Sequence, residues 1–303
     1  MSAVDIDRLQ PGDHICWAFD DDAAVLETVQ RFVTEGIAAG DKVHCLVAEE
    51  LDDVRDGLEA RGVDTRTAEA SDQLQLDRSD GSYLTSGWFA PEEVLAGWKQ
   101  KLSSARDDGY GHMRVIADMS WAFDSAPVSG SERIAWYEAQ ASRLFADGYS
   151  TVVCLYDQRK VSPDELDEIS MSHPGCTLAA AQGLPWPQLR FERRTPPSVL
   201  RLSGEADLST RRALDAVVGG LTSDFAGDNT PITVDVSELD FADGATVRAM
   251  VRAAGTAPHG MRIIGATAAL RKLIALVGGG DAAGLTVHAR AADDEPSEWG
   301  GEQ

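Results

Sequence analysis

The chain has 303 residues, 43% hydrophobic and 25% charged, with 50 acidic against 27 basic side chains and a formal net charge of -23. That composition is ordinary for a globular protein long enough to hold two domains. A field this acidic repels phosphate backbones and anionic lipid, which excludes nucleic acid and membrane surfaces as expected partners.

The opening residues from Met1 to Asp7 lack the charged-then-apolar pattern of a signal peptide, and no apolar run approaches the ~18 residues of a membrane span. The four cysteines, Cys16, Cys45, Cys154 and Cys176, are far apart and form no CxxC pair. They are therefore expected to be reduced, in a cytoplasmic protein.

Strand and helix patterns alternate through the first half. Strands are expected at 14–19, 42–48, 74–77, 112–118, 151–156 and 177–180, and helices at 23–39, 51–61, 91–107, 131–146 and 163–171. Pro91 and Pro163 suit a first helical turn, and the acids after them suit its positive end. Strands separated by helices imply a doubly wound α/β domain, its mostly parallel sheet covered on both faces.

Gly183, Pro185, Pro187, Pro196 and Pro197 then interrupt any regular pattern. The expected organisation is a first domain over 1–182, a linker at 183–187, a smaller α/β domain over 188–291 and a disordered acidic tail over 292–303. In the second domain two strands, at 188–193 and 198–204, lead to a helix at 209–221. A strand at 232–236 is followed by a turn and a helix at 244–254. A strand at 261–264, a helix at 268–277 and a strand at 285–288 complete it. Gly204 reads as a turn glycine, and Asp207 and Asp243 as helix caps.

Three segments of the second domain carry a resemblance: Leu202-Ser203-Gly204-Glu205-Ala206-Asp207-Leu208, the stretch from Asp235 to Thr246, and Arg262-Ile263-Ile264-Gly265-Ala266-Thr267. In this order they resemble STAS domains, the family of anti-sigma-factor antagonists. The resemblance implies docking on an anti-sigma factor kinase, or on another STAS-domain protein, around Asp207, Asp243, Gly244, Ala245 and Thr246. In the family the residue after the aspartate is usually a serine that the kinase phosphorylates. Gly244 has no hydroxyl, so that switch is absent, and Thr246 is a weaker, displaced acceptor.

In the first domain Gly12-Asp13-His14-Ile15-Cys16, Tyr83 to Pro91, Arg114 to Ala122, Trp136-Tyr137-Glu138 and Cys154-Leu155-Tyr156-Asp157 follow one another. Together they resemble the MEDS domain, a sensory module of methanogen and methylotroph regulators. The resemblance implies a RecA-like scaffold that binds small hydrocarbon derivatives. A nucleotide hydrolase on that scaffold needs a Gly- and Lys-containing phosphate loop after the first strand. Here the interval reads Ala18-Phe19-Asp20-Asp21-Asp22-Ala23-Ala24, without glycine or lysine and with three carboxylates. The domain is thus expected to be a binding module, not an enzyme, and to need no cofactor.

Ligand crevices form at the carboxyl ends of parallel strands. On that ground and the family motifs, His14, Cys16, Trp17, Phe19, Asp118, Trp121, Tyr156 and Asp157 are the candidate ligand-binding residues. The aromatics Tyr83, Trp88, Phe123 and Tyr137 extend an apolar pocket for a small ligand. No metal is expected; the weaker alternative is an N/S set of His14, Cys16, Cys154 and His173. Ser120 lies near Asp118 without a nucleophile-elbow motif, so no catalytic residue is assigned. The resulting expectation is a cytoplasmic signalling protein whose sensor domain controls a STAS module, with a homodimer left open. The alternatives are an enzyme or metal-dependent sensor using the N-terminal crevice, or a constitutive interaction scaffold.

Overall fold

The structure, a computed structural model, describes residues 6–48, 50–124, 126, 128–178 and 187–290. The first half runs β1 (His14–Phe19), α1 (Asp22–Ala39), β2 (Lys42–Val47), α2 (Leu51–Ala60), α3 (Thr65–Ala70), β3 (Leu74–Arg78) and α4 (Ser79–Tyr83). It continues with α5 (Pro91–Asp107), β4 (Met113–Asp118), α6 (Ile134–Phe145), β5 (Ser150–Asp157), α7 (Pro163–Met171) and β6 (Gly175–Leu178). The short helices α3 and α4 were not expected. Neither offers two turns of apolar periodicity, and α3 forms because the Asp64 carboxylate accepts from the Thr67 N–H at 3.0 Å.

The six strands form one parallel sheet in the order β3-β2-β4-β5-β1-β6. Chain direction reverses beside β1, which lies between β5 and β6, so the topological switch opens at the carboxyl ends of β1 and β5. One face packs on α1, α2 and α3 through Ile15, Trp17, Val29, Phe32 and Leu58. The other packs on α5, α6 and α7 through Cys16, Cys154, Tyr156, Trp98 and Phe145. Strand periodicity divides β1 between them: His14 and Cys16 point to one side, Trp17 and Phe19 to the other.

The expectation of four reduced cysteines is corrected. Parallel register makes Cys16 and Cys176 direct partners on β1 and β6, with Cα atoms 4.5 Å apart, and they are joined as a disulfide. Their separation of 160 residues in sequence hides this pairing. Cys45 and Cys154 are free and buried.

The second half contains β7 (Leu189–Arg194), β8 (Val199–Ala206), α8 (Arg211–Asp224), β9 (Ile232–Ala242), α9 (Gly244–Thr256), β10 (Met261–Ala266), α10 (Ala268–Leu276) and β11 (Leu285–Ala289). Its sheet, ordered β11-β10-β9-β8-β7, is parallel except for the β7–β8 hairpin. Leu200, Leu202, Val234, Leu214, Val218 and Met250 fill the core between this sheet and its helices. The turn expected after Val236 is instead strand, because β9 follows β8 to Ala242 through register shifts. Gly204 accordingly lies at a bulge inside β8, at φ +93°, where an added Cβ would press on the Gln188 carbonyl. The segment expected as linker, apart from Pro187, and the expected tail both lie outside the described residues.

The two halves meet along α6 and α8. Arg143 of α6 donates from Nε to Asp224 Oδ2 at 3.0 Å and from Nη2 to the Gly220 carbonyl at 3.3 Å. Arg193 of β7 donates to the same carboxylate at 2.6 Å. Gly220 is required there, since a Cβ would occupy the space of the Arg143 guanidinium. Ala146, just past α6, is fully buried in the second domain's core.

Candidate functional site

Behind the sheet, between β1, β5, α6 and α7, four polar side chains converge in complete burial: His14 at 1% exposure, Glu138 at 0%, Cys154 at 4% and His173 at 0%. Glu138 Oε2 lies 3.3 Å from His14 Nε2, 3.4 Å from His173 Nε2 and 3.7 Å from Cys154 Sγ. His14 Nε2 is 3.3 Å from Cys154 Sγ. All four ligand atoms lie within 4.8 Å of one another.

Each member is held from behind. Ser142, one helical turn after Glu138, donates its single hydroxyl hydrogen to the Ser172 carbonyl at 2.9 Å, so its oxygen accepts from His14 Nδ1–H at 2.9 Å. His173 Nδ1–H donates to the Ile169 carbonyl, also at 2.9 Å. These partners put a hydrogen on Nδ1 of both rings, so that in its neutral form each histidine turns its Nε2 lone pair inward. The Tyr156 hydroxyl donates to the other Glu138 oxygen.

Burial lowers the His14 imidazole to about 4, reinforced by His173 and opposed by Glu138. Burial by itself would raise the Glu138 carboxyl, but His173 and His14 together hold it well below the usual carboxylate range. Burial, then the Glu138 charge, push the Cys154 thiol well up.

A second feature lies at the topological switch. Phe19, Asp22, Asp118, Ser120, Asp157 and Arg159 line an open cleft of about 340 Å³. Its arginine is already engaged by its acids: Arg159 Nε donates to Asp157 Oδ1 at 2.7 Å and its Nη1 to Asp22 Oδ2 at 3.2 Å. Where a phosphate loop would place its anion, the Asp21 carboxylate accepts from the Ala23 and Ala24 N–H groups at 3.0 and 3.2 Å. A separate aromatic cleft of about 190 Å³ is lined by His44, Leu46, Tyr83, Trp88 and Trp98 among others.

The third feature is the start of α9. Asp243 Oδ1 accepts from Ala245 N at 2.9 Å and Thr246 N at 2.7 Å, and its Oδ2 from Arg211 at 3.2 Å. Asp207 caps the neighbouring turn through Ser209 N at 2.8 Å. Beside these caps two large apolar side chains face solvent, Leu208 at 63% exposure and Phe241 at 51%. Gly244 is open: a Cβ there would meet only Arg248, at 3.6 Å. Thr246, weighed as a displaced phosphate acceptor, is fully buried and donates to the Ala206 carbonyl at 3.1 Å, so no kinase reaches it in the folded domain.

The Asp243 cap carries a pH signature. Burial alone would raise its carboxyl, but the Thr246 and Ala245 donors and Arg211 hold it below its ordinary 3.8. A carboxylate depressed in the folded state stabilises above its unfolded value and loses that contribution as pH falls through the folded one. Asp243→Ala should therefore cost about 1 kcal/mol at neutral pH. Chemical denaturation should show the difference from the parent shrinking below pH 3.8. A cost unchanged in acid would contradict an ionised cap.

Residues 13–174, more than half of the chain, match the family model described as the MEthanogen/methylotroph, DcmR Sensory domain. The chain belongs to the MEDS family. Residues 189–286 match a second model, described as a Mlab, STAS domain, so a MEDS domain is followed by a STAS domain. A search of curated proteins returns no match. Among solved structures, a KaiC-like protein from the hyperthermophilic archaeon Pyrococcus horikoshii OT3 is similar, with 12% identity over 60% of this chain and 77% of that one, at a TM-score of 0.40.

Within the MEDS domain the eight expected ligand-binding residues do not form one pocket. Phe19, Asp118 and Asp157 share the switch-point cleft. His14 and Tyr156 belong to the buried cluster, while Cys16 is diverted into the disulfide. Trp17 packs beside Phe19 on the opposite face. Trp121 stacks on Tyr83 at 5.4 Å between ring centres and meets Phe89 edge-on at 5.1 Å, filling core instead of lining a void. Of the N/S set, His14, Cys154 and His173 converge, and Glu138 takes the place of Cys16. Glu138 was legible only as part of Trp136-Tyr137-Glu138. A glutamate on the buried side of a helix whose neighbours Ala135, Ala139 and Ser142 are also buried was the available signal.

The MEDS and STAS descriptions make this a regulatory, signalling type of protein. Among the described residues no helix is long and apolar enough to cross a membrane.

Proposed function

We propose that the MEDS domain senses a small apolar ligand, and that the STAS domain docks on an anti-sigma factor kinase or another STAS-domain protein without a phosphoserine switch. The docking face is the start of α9 with Asp207, Asp243, Gly244 and Ala245, flanked by Leu208 and Phe241. The observation carrying this reading is the exposure of those two apolar side chains beside a capped helix start that lacks a hydroxyl. Exposed large apolar groups mark contact surfaces, and none of the other described residues covers these two. The ligand is assigned to the aromatic cleft around Tyr83, Trp88 and Trp98, which is concave and largely apolar.

Communication runs through α6, which touches both domains: Glu138 and Ser142 face the sensor interior, and Arg143 grips Asp224 of α8. A ligand favouring one setting of α6 would shift the STAS face between available and masked states. No nucleotide hydrolysis is part of this mechanism, because Asp21 already satisfies the helix N-terminus that a triphosphate would need.

The test is binding of purified anti-sigma kinases and STAS proteins from the same cell, by titration calorimetry. Phe241→Asp and Leu208→Asp should each weaken the complex at least about tenfold, roughly 1.4 kcal/mol, without lowering thermal stability. Gly244→Ser should fold normally and become a substrate of the bound kinase, since the site is open. Failure of every such partner to bind the parent chain would sink the proposal.

A further inference from the structure

We propose that His14, Glu138, Cys154 and His173 form a binding site for one divalent transition-metal ion of the zinc class. The geometry is the first reason. Metal–nitrogen and metal–oxygen bonds of about 2.0–2.1 Å and a metal–sulfur bond of about 2.3 Å place tetrahedral ligand atoms roughly 3.3–3.6 Å apart. Four of the six separations here are 3.3, 3.3, 3.4 and 3.7 Å, and the other two, both involving His173, lie within 4.8 Å. A buried imidazolium–carboxylate pair would instead draw one N–O distance in to about 2.7–2.9 Å. Both N–O distances are longer, nearly equal and share one oxygen.

The second reason is what the donors lack. His173 Nε2 is buried and makes no hydrogen bond, and it is aimed at the centre of the cluster. With both imidazoles neutral, two lone pairs and a carboxylate directed at one point repel unless a cation sits between them. The outer contacts to Ser142, Ile169 and Tyr156 are those that orient metal ligands: each histidine is anchored through Nδ1, and the carboxylate through its second oxygen.

The third reason is charge and donor chemistry. A doubly charged ion with one carboxylate and one thiolate is electrically neutral, which permits complete burial. Two nitrogens and a sulfur exclude magnesium and calcium, which take oxygen donors, and favour zinc or a similar ion. The ion would tie β1 and β5 to α6 and α7. Both helices contact the STAS domain, α6 through Arg143 and α7 through Glu168, which pairs with Arg212 at 3.3 Å.

The experiment expresses the full-length chain in medium with Co2+ replacing zinc and purifies it folded. The expected result is one equivalent of cobalt per chain, with the visible bands of four-coordinate cobalt and a near-ultraviolet thiolate-to-cobalt band. Cys154→Ser should lose the thiolate band and keep the visible ones. Ser142→Ala, which keeps all four ligands, should weaken metal affinity about 10–100-fold. A chain purified with no metal overturns the proposal. So does cobalt bound without the thiolate band, which would place it on the acidic surface.

Discussion

Glu138→Ala is expected to destabilise the protein by about 3–5 kcal/mol, seen as a large fall in the urea midpoint. The carboxylate is completely buried and touches His14, His173, Cys154 and Tyr156 at once. Removing it leaves two imidazoles, a thiol and a phenol without their shared partner, in a site that water does not reach. The cavity left by the side chain adds to that cost. Glu138→Gln keeps volume and one acceptor, and should recover part of the loss. An alanine variant within about 1 kcal/mol of the parent would mean that the cluster contributes little to holding α6 on the sheet.

Asp224→Ala is expected to release the two domains from each other. Its carboxylate accepts from Arg143 Nε at 3.0 Å and from Arg193 at 2.6 Å, and all three side chains are mostly buried. Without it two guanidinium groups face each other with no counter-charge. Charge-assisted hydrogen bonds of this kind are worth about 1.5–3 kcal/mol each before allowance for their partial exposure. Calorimetry should then resolve two thermal transitions where the parent shows one. Ligand binding to the MEDS domain should also lose its effect on partner affinity at the STAS face. A single unchanged transition would show that the remaining contacts suffice, among them the apolar packing at Ala146, the backbone bond from Arg193 to the Ala146 carbonyl and the Glu168–Arg212 pair.

Much of the architecture was written locally. Alternating strand and helix signals reproduced the parallel sheet, because buried parallel strands read as apolar runs and their helices as amphipathic stretches. Asp243 as a cap, Pro163 in a first turn and the missing phosphate loop depend on neighbours a few residues away. Gly204 and the end of β9 misled for the complementary reason: a bulge and a strand extension are set by the partner strand across the sheet.

The chain order of residue types was enough to establish an acidic, two-domain α/β protein with MEDS and STAS segments and no serine at position 244. It could not say which distant side chains meet. Cys16 had two potential roles, and parallel register with β6 gave it to Cys176. Glu138, 124 positions after His14 in the numbering, reached the cluster through the packing of α6 against β1 and β5. Periodicity reports the face a residue occupies. Which residues share a few ångströms of that face depends on strand order and helix docking, long-range properties carried by no local window.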